Sequence, residues 1–145
     1  MDSEARKTII IANAAMLSMT AIHDADHVRQ AINWCYTIPT WLLVMNTLVY
    51  VPNGYALLAS IRGHRKAAIA TMVGSLLIAV NFPMVHLWKP LVPVWGIWNQ
   101  NFFVLNADQL SWTILALTVV VAVGSAIAGG WALGRTSALV PSPAA

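Results

Sequence analysis

The sequence predicts an all-α membrane protein, a bundle of four transmembrane helices with both termini cytoplasmic and an aromatic outer-face loop between helices three and four. Three observations carry this prediction. Of the 145 residues, 59% are hydrophobic and only 9% charged, whereas a soluble domain carries about a quarter charged residues. Apolar stretches recur at the length of about 20 residues that a helix needs to cross a hydrocarbon core about 30 Å thick. The cations fall at alternate ends of these stretches: Arg6, Lys7, Arg62, Arg65, Lys66 and Arg135 on one side, only Arg29 and Lys89 on the other. Lys and Arg accumulate on the cytoplasmic side of spans, which fixes the orientation in the cytoplasmic or plasma membrane.

The first helix is expected over residues 7–34. Its apolar part ends near Ile22, so the polar stretch that follows must complete the span. A cleavable signal peptide is the weaker reading, because Asp2 and Glu4 dilute the positive region and no small-x-small cleavage site precedes His23. The second helix, 36–61, contains "YVPNGY", where Pro52 removes a backbone hydrogen bond and predicts a kink. The third, 67–88, has a similar interruption at Asn81, Phe82 and Pro83. The fourth, 109–133, follows a capping Asp108 and carries Gly124, Ala128, Gly129 and Gly130, small residues that permit close helix contact.

Residues 1–135 thus form one transmembrane domain and 136–145 a flexible tail. The stretch "KPLVPVWGIWNQNFFVLNAD" is too short and too proline-broken to span, and its aromatics suit the outer interface or the mouth of the bundle. Trp34, Trp41, Trp88, Trp95, Trp98 and Trp112 collect toward that same side, as an aromatic belt does.

Topology explains the net charge of +3, and no basic face with interleaved aromatics suggests nucleic acid. Cys35 is the sole cysteine, which excludes an internal disulfide and a thiolate cluster. The expected partners are the bilayer and, through the Gly-rich face of helix four, a second copy or a larger membrane complex.

The chemistry concentrates in "AIHDADHVRQ", residues 21–30, where two histidines and two aspartates follow an apolar run. His23 and His27 are spaced i, i+4 and Asp26 is i+3 from His23, so the three share a helix face, while Asp24 points aside. At about 1.5 Å of rise per residue from Lys7, His23 stands roughly 24 Å and His27 roughly 30 Å up the first helix. The same ruler brings His86 on helix three to roughly 30 Å, with Asn46 and Asn81 about a turn lower. Met19 and Met16 continue the histidine stripe downward, and Met84 lies two residues before His86.

Ionisable groups at membrane depth mark functional sites by default. Two imidazoles one turn apart chelate an ion, and a third from His86 would make a transition-metal site, with Asp26 or Asp24 as fourth ligand or orienting partner. Copper and zinc rank first and iron is possible; thioether from Met19 or Met84 tilts the choice to copper. Asn81 and Asn46 are secondary candidates. A b-type haem between His27 and His86 is the less favoured cofactor, since acidic neighbours suit poorly the apolar faces of a porphyrin. Membrane diiron desaturases are excluded, because they need far more than the four histidines present. His64, in the cationic "RGHRK" loop, reads as solvated.

The leading expectation is a polytopic membrane protein that binds a transition-metal ion at the outer face, for handling or sensing it or as a cofactor-bearing subunit. The alternative is a noncatalytic accessory subunit whose polar cluster is structural, with Asp26 and Arg29 paired at i, i+3. A haem redox subunit is third. An enzymatic role is less favoured: no Ser-His-Asp order, Gly-rich phosphate loop or zincin motif is present, although an open fourth position on a metal would activate water.

Overall fold

The computed structural model describes residues 1–35, 37–38, 40–87, 102–103 and 105–137. They form four α-helices: α1 (Ser3–Asn33), α2 (Thr40–Ile61), α3 (Ala67–Leu87) and α4 (Gln109–Ser137). By length and composition α1, α3 and α4 can cross a membrane. α2, at 22 residues, is of crossing length but is diluted by Asn46, Pro52, Asn53 and Gly54.

Helix ends differ from expectation where local hydrogen bonding extends or breaks the chain. α1 starts at Ser3 rather than near residue 7, because the Asp2 carboxylate accepts from the Ala5 amide at 2.8 Å and caps the helix. This contact, with Arg135 beside it, holds the Asp2 carboxyl below the usual carboxylate range. α4 runs past residue 133 to Ser137, where Arg135 pairs with Asp2 at 2.7 Å and Glu4 at 2.9 Å. α1 ends at Asn33, two residues before Cys35 adopts a left-handed φ of 53°; α2 begins at Thr40 rather than 36. Pro52 and Pro83 lie inside continuous helices. The expected aromatic loop falls mostly outside the described residues, as does the tail beyond 137.

The helices pack in the cyclic order α1, α2, α3, α4, with α1 and α3 also touching across the short diagonal and α2 and α4 apart. α2 and α3 join through a tight turn in which Gly63 takes φ 65° and the His64 amide donates to the Ala59 carbonyl at 2.8 Å. The Arg6 guanidinium donates to the last carbonyls of α2, Ser60 at 3.0 Å and Ile61. Asp2, Arg6, the α2–α3 turn and Arg135 therefore occupy one end of the bundle, and the histidines the other.

The interior is layered. At the cationic end Ala5, Ile9, Ala59, Ala67, Ala68 and Ala132 pack together. Above them lies a buried polar layer in which Asn13 donates to Thr71 at 2.8 Å and Asn53 donates to Asn13 and Ser75 at 3.2 and 3.1 Å. Met16, Met19, Ile78 and Ala122 form a second apolar layer, flanked by Phe82. Large apolar side chains such as Ile11, Leu48, Leu77 and Ile127 face outward instead. That inversion suits lipid, where apolar surface loses nothing by exposure.

Candidate metal centre

His23 and His27 are one turn apart on the inward face of α1, and α3 presents His86 across the short diagonal. All three are buried, at 4%, 8% and 8% exposure. His86 Nε2 stands 3.1 Å from His23 Nε2 and 3.5 Å from His27 Nε2. One ligand atom from each of the three residues falls within 4.8 Å of the others, a group able to hold a metal ion.

The tautomer of His86 follows from its other nitrogen. Nδ1 lies 2.7 Å from the Phe82 carbonyl oxygen, which only accepts, so Nδ1 carries the proton and Nε2 presents a lone pair. That lone pair faces both α1 imidazoles. An ion at 2.0–2.1 Å from each nitrogen implies N···N separations of about 3.3–3.4 Å in tetrahedral and about 3.5–3.6 Å in trigonal geometry; of the observed separations 3.5 Å falls in that range and 3.1 Å is shorter than it. His23 is edge-on to both other rings, whereas His27 and His86 lie 21° from parallel, so a shared ion requires one of those two rings to turn.

Two phenylalanine rings pack against the group. Phe82 contacts the His23 ring at 4.7 Å between centroids, and Phe102 meets His86 edge-on at 5.0 Å. The Phe102 amide also donates to the His86 carbonyl at 2.8 Å, and its ring rests on Trp112 of α4.

The two aspartates have other partners. Asp26 is buried and accepts from Arg29 Nε and Gln30 Nε2, both at 2.7 Å. Arg29 reaches on to α4, pairing with both carboxylate oxygens of Asp108 at 2.7 and 2.9 Å and donating to Ser111 Oγ at 2.8 Å. Asp108 also caps α4 through the Ser111 amide at 2.9 Å. The Arg29 guanidinium and this amide hold its carboxyl well below the usual carboxylate range. Asp24 accepts from Tyr50 Oη of α2 at 2.7 Å. Neither Asp24 nor Asp26 joins the three-histidine group.

Of the secondary candidates, Asn81 and Met84 face out of the bundle, with Met84 53% exposed. They share the height of the site but not its azimuth: at 100° per residue, five and two positions from His86 turn a side chain about 140° and 200° away. Met19 is buried in the apolar layer below the histidines, and Asn46 is half-buried on α2. His64 is exposed in the α2–α3 turn, as expected, and accepts there from the Lys66 amide.

Sequence reasoning missed Tyr50, Ser111, Phe82 and Phe102. Arg29 carried a signal, being one of two cations on its side; Phe102 carried a partial one, as part of the aromatic stretch expected at the outer interface or the mouth of the bundle, and the Phe82 ring carried none, since Phe is ordinary in any apolar core. Comparison with family models, curated proteins and solved structures returns no match for this chain.

Proposed function

We propose that this chain is a four-span integral membrane protein, with both termini cytoplasmic, that holds one transition-metal ion at the outer end of its bundle through His23, His27 and His86. The observation that carries this is the gathering of three buried imidazoles from two helices, with one ligand atom of each within 4.8 Å of the others. Burying three such polar rings together is costly unless each finds a partner, and a shared ion satisfies all three lone pairs at once.

Asp26 then acts at one remove, as a carboxylate near the ligands whose position is set by Arg29 and Gln30. Copper and zinc suit imidazole donors best, with iron after them. A haem fits poorly. Its two axial nitrogens stand about 4 Å apart on opposite sides of a porphyrin plane, whereas His27 and His86 approach to 3.5 Å with His23, Phe82 and Phe102 packed around them. Handling or sensing of the ion is the role this site supports; the aspartates, tied to Arg29 and Tyr50, favour neither a proton relay nor a hydrolytic base.

Elemental analysis tests this. Protein purified without chelators should carry about one equivalent of copper, zinc or iron, and the His27→Ala variant should carry none. Absence of metal from the wild-type protein, with none taken up on titration with these ions, would overturn the proposal and leave the polar end to packing or partner binding.

A further inference from the structure

We propose that the basic end of the bundle binds the headgroup of an anionic phospholipid, with Lys7, Arg62, Arg65 and Lys66 meeting its phosphodiester. Charge is distributed unevenly over that end. The chain has only five acidic residues, and three of them, Asp24, Asp26 and Asp108, belong to the histidine end. The other two, Asp2 and Glu4, turn to α4, where Arg135 pairs with them at 2.7 and 2.9 Å. Both acids that stand close to Arg6 and Lys7 in sequence are thereby engaged at the α1–α4 edge.

The cations gather at another edge. Arg6 donates to the Ser60 and Ile61 carbonyls and seats the start of α1 against the end of α2. Lys7 and the run Arg62, Arg65 and Lys66, far apart in sequence, then lie at one corner of the bundle, all of them exposed. Among the described residues no ion pair engages any of these four. Cations collect at the cytoplasmic ends of membrane proteins generally; removal of both acids to α4 is what leaves these without an internal counter-charge.

Depth and surface favour a lipid over a phosphate free in water. Trp131, one turn before Arg135 and 41% exposed, has its ring 4.9 Å from the Arg135 guanidinium. Tryptophan so placed marks the headgroup level of a bilayer. Leu58 and Ile61 at the end of α2 and Ile69 at the start of α3 are exposed beside the cations, and Leu58 lies about 6 Å deeper than Arg62 along the helix. A phospholipid covers this apolar surface with its acyl chains while its phosphodiester answers the cations. A soluble phosphate gains only the second contact.

Native mass spectrometry of the full chain, released from a neutral detergent, tests this. The protein is equilibrated with equal amounts of phosphatidylglycerol and phosphatidylcholine of identical acyl chains. Phosphatidylglycerol should be retained at least about fivefold over phosphatidylcholine, the effect of about one Lys or Arg near an anionic membrane surface. Arg65→Gln and Lys66→Gln should each lower that ratio and the double variant should remove the preference, whereas Arg65→Lys, which keeps the charge, should preserve it. Both positions are exposed, so the variants should keep their helix content, as circular dichroism checks. Equal retention of the two lipids by the wild-type chain would overturn the proposal and leave the basic end to topology alone. A preference that survives in the double variant would overturn the assignment to these residues, since the lipid would then sit elsewhere on the chain.

Discussion

Arg29 ties together more of the outer end than any other single side chain described there. It meets Asp26 on its own helix and Asp108 and Ser111 on α4, while Gln30 bonds both Asp26 and Ser111. Its guanidinium is planar and bidentate toward Asp108, a geometry lysine does not reproduce. Arg29→Ala leaves the buried Asp26 carboxylate with one donor fewer, so it should destabilise the fold by about 1–3 kcal/mol. Thermal unfolding in detergent measures this, and Arg29→Lys should recover only part of the loss. The pH dependence follows from Asp108. Its folded pKa is depressed, so its contribution is complete above the unfolded value of about 3.9 and declines only as pH falls through the lower folded value. The outer end should therefore keep this clamp through neutral and mildly acidic pH.

At the scale of helices, spacing alone placed His23 and His27 on one face, and a count of rise brought His86 level with them. Rise gives height but not direction: Asn81 and Met84 stand at suitable levels and still face outward. Direction depends on which stripe of α3 meets its neighbours, and small residues settle that through tertiary contact. Gly129 of α4 is pressed against α3, where an added Cβ would lie 2.5 Å from the Met72 nitrogen and 3.0 Å from the Ala68 oxygen. Gly124 and Gly134 have nothing within 4 Å of that position. The small residues of α4 thus divide between an internal seam and an outward face. Gly129→Ala should cost about 1–3 kcal/mol by forcing α3 and α4 apart, whereas Gly134→Ala should be neutral or stabilising by up to about 1 kcal/mol. Thermal melts of the two variants side by side check the contrast.

For the whole molecule, composition sufficed for the helical class and the count of four, because the cost of an unsatisfied backbone in lipid leaves few alternatives. The gathering of Arg6, the α2–α3 turn and Arg135 at one end agrees with the grouping of cations along the chain, and supports the proposed cytoplasmic placement of that end. An impermeant thiol reagent applied outside intact cells tests it, with Cys35 replaced by serine. A cysteine introduced at His64 should stay unlabelled until the membrane is opened; prompt labelling would reverse the orientation. Phe102 lies in the stretch whose aromatics were expected at the outer interface or the mouth of the bundle; its contact with the His86 ring was not legible, since it forms only after the chain has returned toward α4.

The short diagonal between α1 and α3 also gives the molecule a timetable. As the chain emerges, α1 brings His23 and His27 together before α3 exists, and a newborn α1–α2 hairpin offers only a two-pronged, weakly retentive grip. Arrival of α3 supplies the third prong, and α4 then braces α1 through Ser111 and Asp108. An ion held by all three histidines would accordingly be gripped only once α3 has docked on α1.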